Sequence, residues 1–117
     1  MAEDVYQRLR ELCMAQAEVE ERLSHGEPTW FIQGKKSFLM CANHHHNDRV
    51  AFWCACQREI RDALVAERPT QFFVPPYVGP RGWLGVYLDV PISWDEVAGI
   101  VEDAYQIVAP PKLRRRT

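Results

Sequence analysis

Apolar residues recur along this chain with two different periods. Across residues 3–17, Val5, Leu9, Leu12 and Cys13 fall at i, i+4, i+7 and i+8, one face of a helix. Gly26-Glu27-Pro28 then breaks the chain. Beyond it the pattern is that of strands: TWFIQ (29–33), KSFLMCA (36–42) and RVAFWCAC (49–56), separated by the turn Gly34-Lys35 and by the polar stretch NHHHND at 43–48. Residues 57–66, QREIRDALVA, return to helical spacing through Ile60, Ala63 and Leu64. TQFFVPPY (70–77), stopped by two prolines, and WLGVYLDV (83–90) read as strands. Ser93-Trp94-Asp95-Glu96 is a capping box, in which Ser93 accepts from the Glu96 amide and Glu96 reaches back. The helix it opens carries Val97, Ile100, Val101, Ala104 and Val108 on one stripe and ends at Pro110-Pro111. The predicted order is α-β-β-β-α-β-β-α. Short turns between strands imply a mostly antiparallel sheet, and the amphipathic helices imply cover on at least one of its faces: an α+β two-layer domain.

The 117 residues are one domain by length, 1–117, with a basic tail at 112–117. No apolar run approaches the roughly 20 residues of a membrane span. The acidic, amphipathic start lacks the regions of a secretory signal. The expected location is the cytoplasm, where Cys13, Cys41, Cys54 and Cys56 remain thiols. The net charge of −2 is uneven: −4 over residues 1–34, +3 over 35–81 and +4 in the tail KLRRRT. Without the tail, residues 1–111 carry −6, so any nucleic-acid contact must rest on one segregated face.

The stretch CANHHHNDRVAFWCAC (41–56) raises the question of a metal. Zinc needs four ligands about 2.0–2.3 Å from one point. In a hairpin with NHHHND at its tip, Cys41 lies opposite about Val50, and Cys54 lies four residues, about 13 Å, further along. The spacing also lacks a CxxC pair. No metal site is expected, although His44–His46 carry imidazoles that suit transition metals. Cys54 and Cys56, beside Phe52 and Trp53, read as small core hydrophobes, as does Cys13.

No nucleophile elbow, P-loop or dinucleotide fingerprint is present, so neither catalysis nor a cofactor is expected. Ser24-His25 reads as a connection, and Glu20-Glu21 as a solvated face. Two basic tips are more informative. Lys35-Lys36 follows Gly34, and Arg81 sits in VPPYVGPRGWLGV (74–86), flanked by Gly79, Gly82 and Trp83. Cations on glycine-flanked hairpin tips with aromatic neighbours suit contact with phosphates.

The segments GEPTWFIQGKKSF (26–38), FFVPPYVGPRGWLGVYLD (72–89) and WDEV…VEDAYQIVAPPKL (94–113) resemble the MmcQ/YjbR family of small bacterial proteins, with PPYVGPRGW the most specific part. The resemblance extends over nearly the whole chain. It implies a CyaY-like, frataxin-related fold and a DNA-binding role through a "double wing" of hairpins. It gives as candidate nucleic-acid contacts Lys35, Lys36, Arg49 and Arg81, with Arg114, Arg115 and Arg116 adding unspecific attraction; the 43–48 tip is a third candidate wing. The frataxin likeness also raises metal binding, with Glu18, Glu20, Glu21 and Glu27 the nearest counterpart of an acidic ridge. The alternatives are a protein-interaction or small-ligand module at the Tyr77–Trp83 loop and a frataxin-like metal binder.

Overall fold

A computed structural model describes residues 2–42 and 49–114. Helix α1 (Ala2–Met14) leads into four strands, β1 (Val19–Ser24), β2 (Glu27–Ile32), β3 (Lys36–Cys41) and β4 (Ala51–Cys54). Helix α2 (Arg58–Glu67), strands β5 (Phe72–Phe73) and β6 (Leu84–Tyr87) and helix α3 (Trp94–Val108) follow. Single 3-10 turns occupy Gly79–Arg81 and Pro111–Leu113. The strands form one antiparallel sheet in the order β1-β2-β3-β4-β6-β5. The α+β class holds; the order gains a strand.

That strand, β1, occupies residues expected to lie between helix and turn. The helix stops at Met14 although AQAE contains only helix formers. Glu18 turns the chain with φ 59°, and Gln33 donates from its amide to the Glu18 carbonyl at 2.8 Å. Tyr105 donates from its hydroxyl to the Ala17 carbonyl at 2.7 Å, tying the turn to α3. An edge strand with Val19, Glu21 and Leu23 on one side shows no strong strand alternation, because Glu21 turns inward to accept from Arg10 and from the Trp30 indole. His25-Gly26 (φ 53° and 82°) then makes a two-residue hairpin with both central residues left-handed, the turn that matches strand twist, and Gln33-Gly34-Lys35 makes a three-residue one in which Gln33 and Gly34 are left-handed (φ 56° and 69°).

The register builds two different faces. Trp30, Leu39, Cys54 and Leu84 lie opposite one another across β2, β3, β4 and β6, and Cys41, Phe52, Val86 and Phe72 form the next row. All eight are buried, and α1, α2 and α3 cover this face with Leu9, Cys13, Val97, Val101 and Ala104. A bulge between Trp30 and Phe31 leaves Phe38 without a partner on β2, and its ring meets Tyr105 edge-on at 5.6 Å. The other face carries Thr29, Met40, Trp53, Gly85 and Phe73 in register. A Cβ at Gly85 would come within 2.4 Å of the Phe73 ring. The glycine thus lets Phe73 lie across β6 and stack on Tyr87 at 4.4 Å.

Two sequence expectations need correction. Cys41 pairs with Phe52 rather than Val50, and Cys54 with Leu39. Cys41 and Cys54 are therefore diagonal neighbours on the helix-covered face, about 7–8 Å apart, rather than 13 Å. The connection between β3 and β4 is longer than a tight tip, and this register puts Cys41 and Phe52 together in the core. In the capping box, Ser93 does accept from the Glu96 amide at 3.4 Å, but the Glu96 carboxylate is taken by Arg68 at 2.6 Å. Among the described residues, no helix is long and apolar enough to cross a membrane.

Candidate nucleic-acid interface

The loop carrying Arg81 is fastened from beneath. Pro80 starts a tight turn in which Arg81 donates from its amide to the Val78 carbonyl at 3.1 Å, and Gly82 closes it at φ 87°. Arg61, from α2, is 5% exposed and donates from Nη1 to the carbonyls of Gly79 at 2.7 Å and Trp83 at 3.3 Å. Its Nε donates to Asp62 at 2.9 Å. Arg58, one turn earlier, donates to the Pro80 carbonyl. A buried arginine satisfying two backbone carbonyls holds a loop that has little regular structure of its own. Arg81 itself points outward, its guanidinium 4.9 Å from the Trp83 ring centre.

The same end of the sheet receives the start of β3 and the chain after α3. Lys36, Arg81 and Arg114 line one hollow of about 310 Å3 together with Ser37, Cys56 and Trp83. A neighbouring hollow of about 320 Å3 brings Lys35, Lys36 and Arg114 against Pro110-Pro111. Arg114 is positioned by its Nε donating to the Ala109 carbonyl at 2.8 Å. Among the described residues, no carboxylate lines either hollow. Among the described residues, no ion pair engages Lys35, Lys36, Arg81 or Arg114. Four cations from three separate stretches of the chain thus share one end of the molecule. Acids flank it toward β1, where Glu18 accepts from the Gln33 amide group at 3.0 Å and the Glu20 carboxylate lies against Gly34, and toward α3, where Asp103 lies near Cys56.

Arg49 is elsewhere. It precedes β4 at the opposite end of the strands from Lys36, since Leu39 pairs with Cys54 and Cys41 with Phe52. Its Nε and Nη2 donate to the two oxygens of Asp89, both at 2.9 Å, and its guanidinium lies 3.7 Å from the centre of the Tyr87 ring. A cation held by a bidentate carboxylate has little charge left for a phosphate. Arg115, Arg116 and the histidines of the 43–48 tip lie outside the described residues.

The Arg49 hydrogen bonds, helped by the Val50 amide, hold the Asp89 carboxyl below the usual aspartate range. A depressed acid stabilises the fold above its unfolded pKa and loses that contribution as pH falls through the folded one. The stability difference between the wild type and Asp89→Asn is therefore full above about pH 5 and shrinks steadily below about pH 4. Urea denaturation at a series of pH values checks this; a difference independent of pH over that range contradicts the pairing.

Burial raises Cys13, Cys41 and Cys54 well above the ordinary cysteine range, and burial also raises the half-buried Cys56. Among the described residues, no group of three histidine, cysteine or acidic side chains is placed to hold a metal ion. Of the acidic ridge, Glu21 is occupied by Arg10 and Trp30, and Glu18 by Gln33. Trp83, which an interaction module at the 77–83 loop would need exposed, is buried; Tyr77 is exposed.

Sequence reading found Lys36, Arg81 and Arg114 but not that they meet, and it missed Arg58 and Arg61 as the loop's anchors. The signal for the anchors was present: arginines at i and i+3 on an amphipathic helix whose other stripe is apolar.

A six-stranded antiparallel sheet with three helices on one face and a pinned, cation-bearing loop at one end defines the class of this α+β protein. The chain matches the YjbR family over residues 14–107 and belongs to that family. It is similar to the crystal structure of the Deinococcus radiodurans protein DR2400, domain DUF419, with a TM-score of 0.77 and 12% identity. The alignment covers 94% of this chain and 82% of that one, and at this identity the likeness is one of fold. No curated protein matches the chain.

Proposed function

We propose that this YjbR-family protein is a non-catalytic, cytoplasmic module that binds nucleic acid through the backbone phosphates, using Lys35, Lys36, Arg81 and Arg114. One observation carries the reading: Lys36, Arg81 and Arg114, brought from a hairpin, a 3-10 turn and the chain after α3, line a single hollow without a carboxylate. Clustered cations that no acid neutralises are the electrostatic footprint of a polyanion site. The patch joins the Lys35-Lys36 tip to the Arg81 loop at one end of the sheet, and Arg49, committed to Asp89, lies outside it.

A protein-interaction surface at the 77–83 loop fits less well. Tyr77 stands exposed, but Trp83 is buried and Arg81 occupies the ground between them and the hollow. Fluorescence anisotropy of labelled oligonucleotides titrated with the full chain at low salt tests the proposal. Binding in the micromolar range or tighter is expected. A flat titration at low salt overturns it.

A further inference from the structure

The open face of the sheet contains a larger cavity, of about 540 Å3, roofed by the 77–83 loop. That size lies within the roughly 300–1,000 Å3 of small-molecule sites. Its apolar walls include Phe31, Met40, Trp53 and Trp83, and Ser24, His25 and Ser37 offer hydrogen-bonding groups. Among the described residues, no carboxylate lines it. It shares Ser37, Arg81 and Trp83 with the basic hollow, so the two adjoin. Tyr77, 73% exposed, stands at its rim.

We propose that this cavity receives an unpaired base of a single-stranded nucleic acid while Arg81, Lys36 and Arg114 hold the adjoining phosphates; the inference rests on the nucleic-acid reading above. An occupant must be flat and apolar on its faces, must carry hydrogen-bonding edges and must be attached to an anion. A base in a strand has all three properties, and aromatic stacking is the usual sequence-tolerant element of single-strand recognition. A paired base in a duplex keeps its faces stacked and its edges occupied, so it enters such a cavity only by flipping out. A free nucleotide fills the cavity but brings one phosphate group to a row of cations that runs on through Lys36 and Arg114 to Lys35. A strand supplies a phosphate for each.

The test titrates the full chain with oligothymidylate, with a duplex of equal length and with thymidine 5′-monophosphate. It reads anisotropy of labelled strands and, with unlabelled ones, the intrinsic tryptophan emission. The expected result is a single strand bound at least about tenfold tighter than duplex, with quenching of emission, and a Tyr77→Ala variant weakened roughly tenfold for the single strand alone. Duplex bound as tightly as single strand, with Tyr77→Ala indifferent, overturns the base pocket and leaves the phosphate site standing. A mononucleotide bound as tightly as the strand overturns the strand as occupant. Binding of none of the three removes both this inference and the proposed function.

Discussion

Replacing Arg81 by glutamate lowers the affinity for a short single strand roughly 30-fold at low salt, because a two-unit change of charge beside a phosphate costs about 2 kcal/mol even at the dielectric of water. Arg81 is the cation common to the basic hollow and the apolar cavity, so it contributes to both phosphate and base binding. The matched reversal at Arg49 leaves affinity unchanged, since that guanidinium is already neutralised by Asp89 at the far end of the strands. It replaces a surface ion pair, worth about 0.5–1 kcal/mol, with two facing carboxylates and removes the contact with the Tyr87 ring, so its cost falls on stability. Anisotropy titrations of the two variants side by side check this. Equal loss of affinity in both would mean that binding follows net charge and not the patch.

Arg61→Met destabilises the fold by about 3 kcal/mol, because the buried hydrogen bonds to the Gly79 and Trp83 carbonyls are lost and Gly79 keeps only the Gly82 amide as donor. For a domain of this size that lowers the thermal midpoint by roughly 10 °C. Arg61 is 5% exposed, and its partners lie 18 and 22 residues away, so the arginine closes a long-range connection between α2 and the loop. Asp62 is more than half exposed, and Asp62→Asn shifts the midpoint by no more than a few degrees. Thermal unfolding followed by circular dichroism separates the two. A change in Arg61→Met as small as that in Asp62→Asn would show that the loop holds itself. With the loop loosened, Arg81 also loses its fixed position, so the variant binds oligonucleotide less tightly even well below its midpoint.

The apolar pattern revealed most of the fold, for definite physical reasons. Strands β2, β3, β4 and β6 announce themselves because both of their faces are covered in part, one by helices and the other by the 77–83 loop. Their sequences are therefore nearly continuous apolar runs. Strand β1 was hidden because its inward positions include Glu21, whose partners Arg10 and Trp30 become visible only when α1 and β2 are assembled beside it. The end of α1 was hidden because Glu18, not glycine, takes the left-handed position. The site was half legible. Glycine-flanked cations at Lys35-Lys36 and Arg81 marked two tips, but which cations share an end of the sheet depends on register. The same register that brings Lys36 near Arg81 sends Arg49 to the other end, where Asp89 waits 40 residues further along the chain. The cavity was not legible at all, since it needs the 77–83 loop folded back over Phe31, Met40 and Trp53.

The central claim is that a local patch, not the overall charge, binds phosphates, and a salt series tests it most directly. Each phosphate neutralised on a single strand releases counterions worth a slope of about −0.7 in log K against log salt. Lys35, Lys36, Arg81 and Arg114 together predict a slope of about −2.8 or steeper. The account predicts that Arg81→Ala flattens this slope by about 0.7 while Arg49→Ala leaves it unchanged. A slope near zero, or one flattened equally by both substitutions, would contradict it.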